Sequence, residues 1–183
     1  MIKSYLITDP AYYGTDTTTF TSQLSTIFDR NRVDLALYRD KENSEYARFA
    51  EIFVFTCKSR GILPFLHQDY VLANSLGAYG VHLTSAQFDE IPAAKELGLF
   101  VVVSTHSLED IEYVSRLGAD AVTYSPIFST PNKGIPKGLA HLKEIVGKIN
   151  TKIIALGGIT TDEQVKAVES CGVFAYASIR KFI

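Results

Sequence analysis

Residues Phe100–Ile127 read FVVVSTHSLEDIEYVSRLGADAVTYSPI and form the stretch that decides the fold class. Its two ends, Phe100–His106 and Ala121–Ile127, are continuous runs of apolar and β-branched residues, typical of parallel strands covered on both faces. The segment between them, Leu108–Leu117, has helical spacing. It opens with a capping-box pattern at Ser107 and stops before a glycine. The stretch therefore predicts one strand–helix–strand unit of a parallel sheet.

The same alternation continues along the chain in both directions. The segments with strand character are Ile2–Thr8, Val33–Arg39, Ile62–His67, Gly80–Thr84, Phe100–His106, Ala121–Ile127, Lys152–Gly158 and Val173–Ile179. The segments with helical spacing are Thr17–Asp29, Ser44–Cys57, a short piece at Asp69–Leu76, Gln87–Leu97, Leu108–Leu117, Pro136–Ile149 and Thr161–Cys171.

Repeated strand–helix units have few closed arrangements. A right-handed, single-domain (β/α)8 TIM barrel over residues 1–183 is the simplest. An open doubly wound sheet is the alternative, but no glycine-rich dinucleotide loop follows the first strand. The sequence ends at Arg180-Lys-Phe-Ile, so the last helix is short or missing. We therefore expect the outer faces of strands 8 and 1 to need cover from a partner subunit or an N-terminal segment, and we predict a homodimer.

Composition narrows the class of protein. The chain has 183 residues, 46% of them hydrophobic, which suits one globular domain with a sizeable core. A net charge of -2 without a polybasic run argues against nucleic acid, and no apolar run approaches the ~20 residues that span a bilayer. The first residues lack signal-peptide features, so we expect a cytoplasmic protein. Cys57 and Cys171 lack metal-ligand spacing and are expected to be buried free thiols.

In a TIM barrel the functional side chains follow the carboxyl ends of the strands. These ends are rich in Lys, Arg, Ser, Thr and His and poor in clustered carboxylates; they include Asp9, Arg39, Lys41, His67, Ser104, His106, Thr130, Asn132, Lys133, Gly157, Gly158, Ser178 and Arg180. A cationic, hydroxyl-lined mouth suits a small anionic substrate, most simply a phosphate ester.

Two stretches of these ends have the clearest chemistry. Gly157-Gly158 ends strand 7 before a helix begins, where backbone N–H groups approach an anion and the helix dipole attracts it; a tight turn would also require these glycines. Ser178 at the next strand end favours the phosphate interpretation. Thr130, Asn132 and Lys133 form a donor cluster on a proline-rich loop, although a loop lysine is commonly just solvated.

The histidines and the first aspartate have open alternatives. His106 at the end of strand 5 suits proton transfer, or it is a structural histidine whose hydrogen bonds are satisfied. His82 lies within a strand, which favours a structural role, and His141 in a helix has no chemistry that the sequence indicates. Asp9 either caps a turn or faces the mouth of the barrel.

The ordered set of motifs resembles the thiamine phosphate synthase/thiazole tautomerase superfamily. The motifs are Tyr5-Leu-Ile-Thr-Asp, Arg39-Asp-Lys, Gly80-Val-His-Leu, Val103-Ser-Thr-His, Gly118-Ala-Asp-Ala-Val, Ser125-Pro-Ile-Phe-Ser-Thr-Pro-Asn-Lys and Ile154-Ala-Leu-Gly-Gly-Ile, which together span nearly the whole chain. The resemblance implies a (β/α)8 barrel of thiamine biosynthesis. It also implies one of two reactions: the synthase joins hydroxymethylpyrimidine diphosphate to thiazole phosphate with Mg²⁺, and the tautomerase isomerises a carboxythiazole phosphate without a metal.

The chain departs from the synthase pattern at the metal and the pyrimidine. The places of the two magnesium aspartates are Gln68 and Gln87, and the place of a pyrimidine-contacting glutamine is Leu37. A neutral amide is a poor replacement for a carboxylate at a Mg²⁺–diphosphate site. Asp69 or Asp89 would restore a carboxylate only if each site shifted by one or two residues.

The phosphate end of the family pattern is retained, so we expect a metal-independent thiazole tautomerase that requires no cofactor. The resemblance places proton transfer at His106, with Lys41 also catalytic. It assigns substrate and phosphate binding to Arg39, Ser104, Thr130, Asn132, Lys133, Gly157, Gly158 and Ser178. The alternatives are a true synthase that uses Mg²⁺ and an inactive member that only binds thiazole or thiamine phosphates.

Overall fold

A computed structural model describes residues 2–183 as one closed barrel of parallel strands. The strands are β1 (Lys3–Ile7), β2 (Leu35–Tyr38), β3 (Leu63–His67), β4 (Gly80–Leu83), β5 (Phe100–Thr105), β6 (Ala121–Tyr124), β7 (Lys152–Leu156) and β8 (Ala175–Ser178). Each strand pairs with its sequence neighbours, and β8 pairs with β1 to close the barrel. The predicted TIM barrel is confirmed, and the open doubly wound sheet is excluded.

The helices surround the barrel. They are α1 (Pro10–Tyr13), α2 (Thr17–Arg30), α3 (Tyr46–Lys58), α4 (Tyr70–Ser75), α5 (Ile91–Glu96), α6 (Leu108–Arg116), α7 (Gly138–Lys148) and α8 (Asp162–Glu169). The predicted helix Gln87–Leu97 is divided into a 3₁₀ turn at Phe88–Glu90 followed by α5. Pro92 explains this, because it lies in the first turn of α5, the part of a helix where proline is tolerated.

Local sequence signals explain where the helices begin. The predicted capping boxes of α6 and α8 are both present, with Ser107 and Thr161 accepting a backbone N–H from Asp110 and Gln164 respectively. Both satisfy N–H groups that otherwise have no partner in the first turn of a helix.

The apolar residues form an inner core and an outer core. The inner core fills the barrel and includes Tyr5, Leu35, Phe65, Val102, Ile154 and Ala175. The outer core lies between the strands and the helices. Because successive side chains of a strand point to opposite faces, every strand except β4 contributes apolar residues to both cores, which explains the continuous apolar runs. Cys57 and Cys171 are buried free thiols, as predicted.

The expectation that strands 8 and 1 are left uncovered is wrong. A 3₁₀ turn at Arg180–Phe182 follows β8, and the Phe182 ring stacks on Tyr176 with centroids 6.0 Å apart. The side-chain amide of Asn31, at the end of α2, donates to the Phe182 carbonyl at 3.0 Å. Leu6 on β1 and Tyr176 on β8 are both buried. The chain covers this face itself, so the homodimer stays a prediction that no exposed strand face supports.

Candidate active site

A cavity of about 350 Å³ opens between the carboxyl ends of β6, β7, β8 and β1. Four of the predicted binding residues line it: Thr130, Gly157, Gly158 and Ser178. Asp9, Tyr12, Thr160 and Arg180 complete its polar lining. Asp9 also caps α1, accepting the Ala11 N–H at 3.0 Å, so both interpretations of this aspartate hold. Tyr12 was not predicted from the sequence, since nothing in the Pro10-Ala-Tyr-Tyr segment distinguishes its two tyrosines.

The glycine pair in this cavity is required by the packing of the β6–α7 loop. Gly157 and Gly158 have φ of 101° and 70°, which a residue with a side chain rarely adopts. A Cβ on Gly158 would lie 2.6 Å from the carbonyl oxygen of Ser129. The Phe128 N–H donates to the Gly157 carbonyl at 3.0 Å and holds this loop against the end of β7. Packing therefore requires both glycines, and both of them also line the cavity.

The Ser178 hydroxyl is engaged in hydrogen bonds within the chain. It donates to the Ile159 carbonyl at 2.7 Å and accepts the Lys181 N–H at 3.2 Å. Because a serine hydroxyl has a single proton, that proton is used within the chain. Ser178 lines the cavity, yet in this conformation its hydroxyl positions the β7–α8 loop and donates to nothing in the cavity.

The donor cluster of the β6–α7 loop is only partly assembled at the cavity. The N–H groups of Lys137 and Gly138 donate to Pro126 and Ile127, which fixes the end of the loop. Thr130 lines the cavity, whereas Asn132 and Lys133 are exposed and lie outside its lining. The structure therefore does not bring Lys133 to the position that the cluster hypothesis required.

A second, smaller cavity of about 180 Å³ lies at the ends of β2 and β3 and is lined by Lys41, His67, Gln68 and Asp69. Burial, together with Arg39 and Lys41, lowers the pKa of His67 to about 4. The histidine is therefore neutral at physiological pH, and the cations are the charged groups available to attract an anion.

The backbone of Arg39 is held by strand β1. Its N–H donates to the hydroxyl of Thr8 at 2.9 Å. This fixes the end of β2 beside the smaller cavity, which starts one residue later at Asp40.

Strand β5 carries Ser104 and ends at Thr105, directly before His106. Ser104 is half-buried within the barrel and bonds to His82, while His106 is exposed at the rim. The His106 N–H donates to Asp110 at 3.0 Å, and its carbonyl accepts the Lys137 ammonium at 2.9 Å. These two contacts fix the backbone of the predicted proton-transfer residue. Lys137 was not predicted, because it meets His106 from a loop 31 residues further along the chain.

Comparisons with known proteins decide the family. The model of the thiamine monophosphate synthase family matches residues 4–182. This chain belongs to that family.

The family's relatives match over most of the chain. This chain is 33% identical over 187 residues to "Putative thiamine-phosphate synthase 2" of Aquifex aeolicus, and the alignment covers 99% of this chain and 97% of that protein. It is 30% identical over 151 residues to the thiamine-phosphate synthase of Neisseria meningitidis serogroup B, covering 79% and 71% of the two chains. The fold is that of the Pyrococcus furiosus thiamine phosphate pyrophosphorylase, with a TM-score of 0.81, 24% identity, and coverage of 97% and 85%. The chain is thus a barrel protein of the thiamine-biosynthesis family.

The positions where the resemblance implies Mg²⁺ ligands do not fit a metal ion. The Gln87 amide oxygen accepts from the N–H and the hydroxyl of Thr84, both at 3.1 Å. Its amide nitrogen donates to the Gln68 carbonyl at 3.2 Å and to Glu90 at 3.1 Å. Gln87 therefore connects the ends of β3 and β4 through both of its polar atoms, and neither atom is left for a cation.

The neighbouring carboxylates do not replace these ligands. Asp69 caps α4 by accepting the Leu72 N–H at 2.8 Å, and the exposed Asp89 lies in the 3₁₀ turn after Gln87. Among residues 2–183, no group of three or more His, Cys, Asp and Glu side chains is placed to hold a metal ion. A Mg²⁺–diphosphate site of the synthase type does not fit the residues at these positions.

No helix within the described residues 2–183 combines the length and apolar character needed to cross a membrane.

Proposed function

We propose that this protein is a thiazole tautomerase that binds a carboxythiazole phosphate and isomerises it without a metal ion. The observation that carries the proposal is the contrast between the two halves of the barrel mouth. The β7–β8 half has a cavity lined by the glycine pair and Arg180, which suits a phosphate. The β3–β4 half has neutral amides at the family's metal positions, and Gln87 is fully occupied by contacts within the chain.

The proposed reaction needs only groups that this chain supplies. The phosphate would occupy the cavity at Gly157 and Gly158, near Arg180. The substrate carboxylate would face Arg39 and Lys41. His106 would take a proton from a ring carbon and return it to another ring atom, so one bond to hydrogen breaks, another forms and the composition is unchanged. A histidine is suited to both steps because its ordinary pKa lies near neutral pH.

Two observations favour other functions. The named relatives are thiamine-phosphate synthases, which supports the synthase over the tautomerase. That reaction would join hydroxymethylpyrimidine diphosphate to thiazole phosphate and would require Mg²⁺ to bind elsewhere than at Gln68 and Gln87. The loss of the family's ligands also fits an inactive member that binds thiazole or thiamine phosphates and turns nothing over.

A paired turnover assay on the purified protein tests these alternatives. One arm supplies the pyrimidine diphosphate, thiazole phosphate and Mg²⁺, and the other supplies the carboxythiazole phosphate tautomer with a chelator. We expect aromatic product in the second arm only. We also expect its loss in His106→Ala and its retention in His141→Ala, the matched control, a histidine on α7 whose Nε2 lies 2.8 Å from the Tyr124 hydroxyl.

Each other outcome rejects the proposal. Product in the first arm alone would establish the synthase and show that Gln68 and Gln87 do not prevent metal binding. Binding of thiazole phosphate without product in either arm would establish the inactive binder. Equal activity of His106→Ala and the wild type would remove His106 from the mechanism.

A further inference from the structure

A hydrogen-bonded chain of three side chains crosses the interior of the barrel below the mouth. The hydroxyl of Tyr5 on β1 lies 3.2 Å from Nδ1 of His82 on β4. Nε2 of His82 lies 3.1 Å from the hydroxyl of Ser104 on β5. Tyr5 and His82 are buried, and their rings stack at 5.9 Å with an angle of 21°. Ser104 is half-buried, which makes it the one member of this chain that is not fully buried.

The direction of this chain follows from the protons that each group carries. A neutral imidazole has one N–H donor and one nitrogen acceptor, so one of its neighbours must donate to it and the other must accept. The Tyr5 hydroxyl has no other hydrogen bond among the described residues 2–183. If Tyr5 accepted from Nδ1, its own buried proton would have no acceptor, which costs about 1–3 kcal/mol. Tyr5 therefore donates to Nδ1, and Nε2–H donates to Ser104.

The consequence falls on Ser104. Its oxygen is used as an acceptor for His82, so its proton is left to donate to another group, such as a bound substrate. His106 follows directly after the end of β5, two residues along the chain from Ser104, and is exposed at the rim. A substrate beneath His106 would therefore meet a hydroxyl that offers a proton.

We infer that Tyr5 and His82 are positioning residues that orient Ser104 as a hydrogen-bond donor, so that the site selects a substrate with an acceptor atom at that point. A carboxylate oxygen or an unprotonated ring nitrogen meets this requirement, and a protonated ring nitrogen does not. The identity of the substrate rests on the proposed function, but the direction of the chain does not.

The surroundings keep His82 in the neutral form that this direction requires. Burial, together with His67 and Arg39, lowers the pKa of His82 to about 3. His82 pairs with His67 in the β3–β4 register, and the two cations Arg39 and Lys41 act on His67 in turn. The donor and acceptor pattern is thus constant over the physiological pH range.

Nitrogen NMR of the wild-type protein tests the direction without any substrate. Long-range proton–nitrogen correlations of uniformly labelled protein report which ring nitrogen carries the proton. The four histidines are assigned by single substitutions at His67, His106 and His141, with His82 left by elimination. We expect His82 to be protonated at Nε2 and unprotonated at Nδ1 from pH 8 to pH 5. A proton on Nδ1, or a doubly protonated ring, would overturn the inference.

Ligand binding tests the consequence for Ser104. We expect Ser104→Ala to weaken the binding of thiazole phosphate or its carboxylate about three- to tenfold, the usual effect of one neutral hydrogen bond. Ser104→Thr keeps the hydroxyl and should restore most of the affinity. Unchanged affinity in Ser104→Ala would overturn the donor role. If the wild type binds neither compound, the proposed function fails, and the NMR result still decides the direction of the chain.

Discussion

The change of Gly158 to alanine tests whether the glycine pair shapes the larger cavity. Gly158 has a φ of 70°, and left-handed backbone costs a residue with a Cβ about 1–2 kcal/mol. The added Cβ would lie 2.6 Å from the Ser129 oxygen and 2.8 Å from Cβ of Phe128, so the β6–α7 loop must move away. That movement would break the 3.0 Å hydrogen bond from the Phe128 N–H to the Gly157 carbonyl, which contributes about 1 kcal/mol.

The expected loss for Gly158→Ala is therefore about 2–3 kcal/mol in the free energy of unfolding. For a chain of this size it corresponds to a fall of about 4–12 °C in Tm. Urea unfolding measures the free energy, and titration with thiazole phosphate measures the effect on the cavity. Binding should weaken because Thr130 and Pro131 of the displaced loop line the same cavity as Gly158.

Two other glycines distinguish the cost of left-handed backbone from the cost of displacing the β6–α7 loop. Gly98 has a φ of 77° but open space around it, so Gly98→Ala should cost only the backbone penalty of about 1–2 kcal/mol without affecting binding. Gly134 lies in the β6–α7 loop with open space where a Cβ would be added, so Gly134→Ala should change little. If Gly158→Ala loses no more stability than Gly98→Ala and binds normally, the loop-packing explanation is refuted.

Three further predictions use urea unfolding or light scattering. Tyr13→Phe should raise the free energy of unfolding by about 1 kcal/mol, because the buried Tyr13 hydroxyl has no hydrogen-bond partner in residues 2–183; a loss would contradict this. His67 and His82 have pKa values lowered to about 4 and 3 in the folded protein, so as pH falls they are protonated in the unfolded chain before they are protonated in the folded one. The free energy of unfolding should therefore decrease below about pH 6.5, by up to about 1.4 kcal/mol per pH unit for each histidine. His67→Gln should reduce this pH dependence, and an unchanged dependence would show that the pKa of His67 is not lowered in the folded protein. The homodimer was predicted from the sequence, and no uncovered strand face supports it; light scattering at micromolar concentration tests it, and a monomer would refute it.

The fold was largely predictable because each of its signals is local. Apolar runs of strand length, helical spacing, capping boxes at Ser107 and Thr161, and glycines after helices all act within a few residues. Their strict alternation leaves few topologies. The cover of β8 was not predictable, because it depends on Phe182 stacking on Tyr176 and on a hydrogen bond from Asn31, 151 residues away in the chain.

The candidate site was predictable only in part. A barrel places the residues after each strand at one end, so Thr130, Gly157, Gly158 and Ser178 were expected together and do share a cavity. Lys133 belongs to the same stretch of sequence, but the turn that its N–H makes with the Thr130 carbonyl leaves it exposed. The direction of one loop residue depends on packing that the sequence pattern does not contain.

The sequence by itself determined the barrel, its order of strands and the family, because these follow from periodicity and from motifs in a fixed order. Only the tertiary structure decided which polar groups remain available for chemistry. The sequence indicates phosphate binding for Ser178, a structural role for His82 and a lost metal position for Gln87, and the structure uses the polar atoms of all three in contacts within the chain. Hydrogen bonds join residues that are distant in sequence, and a donor or acceptor is free only after every such partner has been placed.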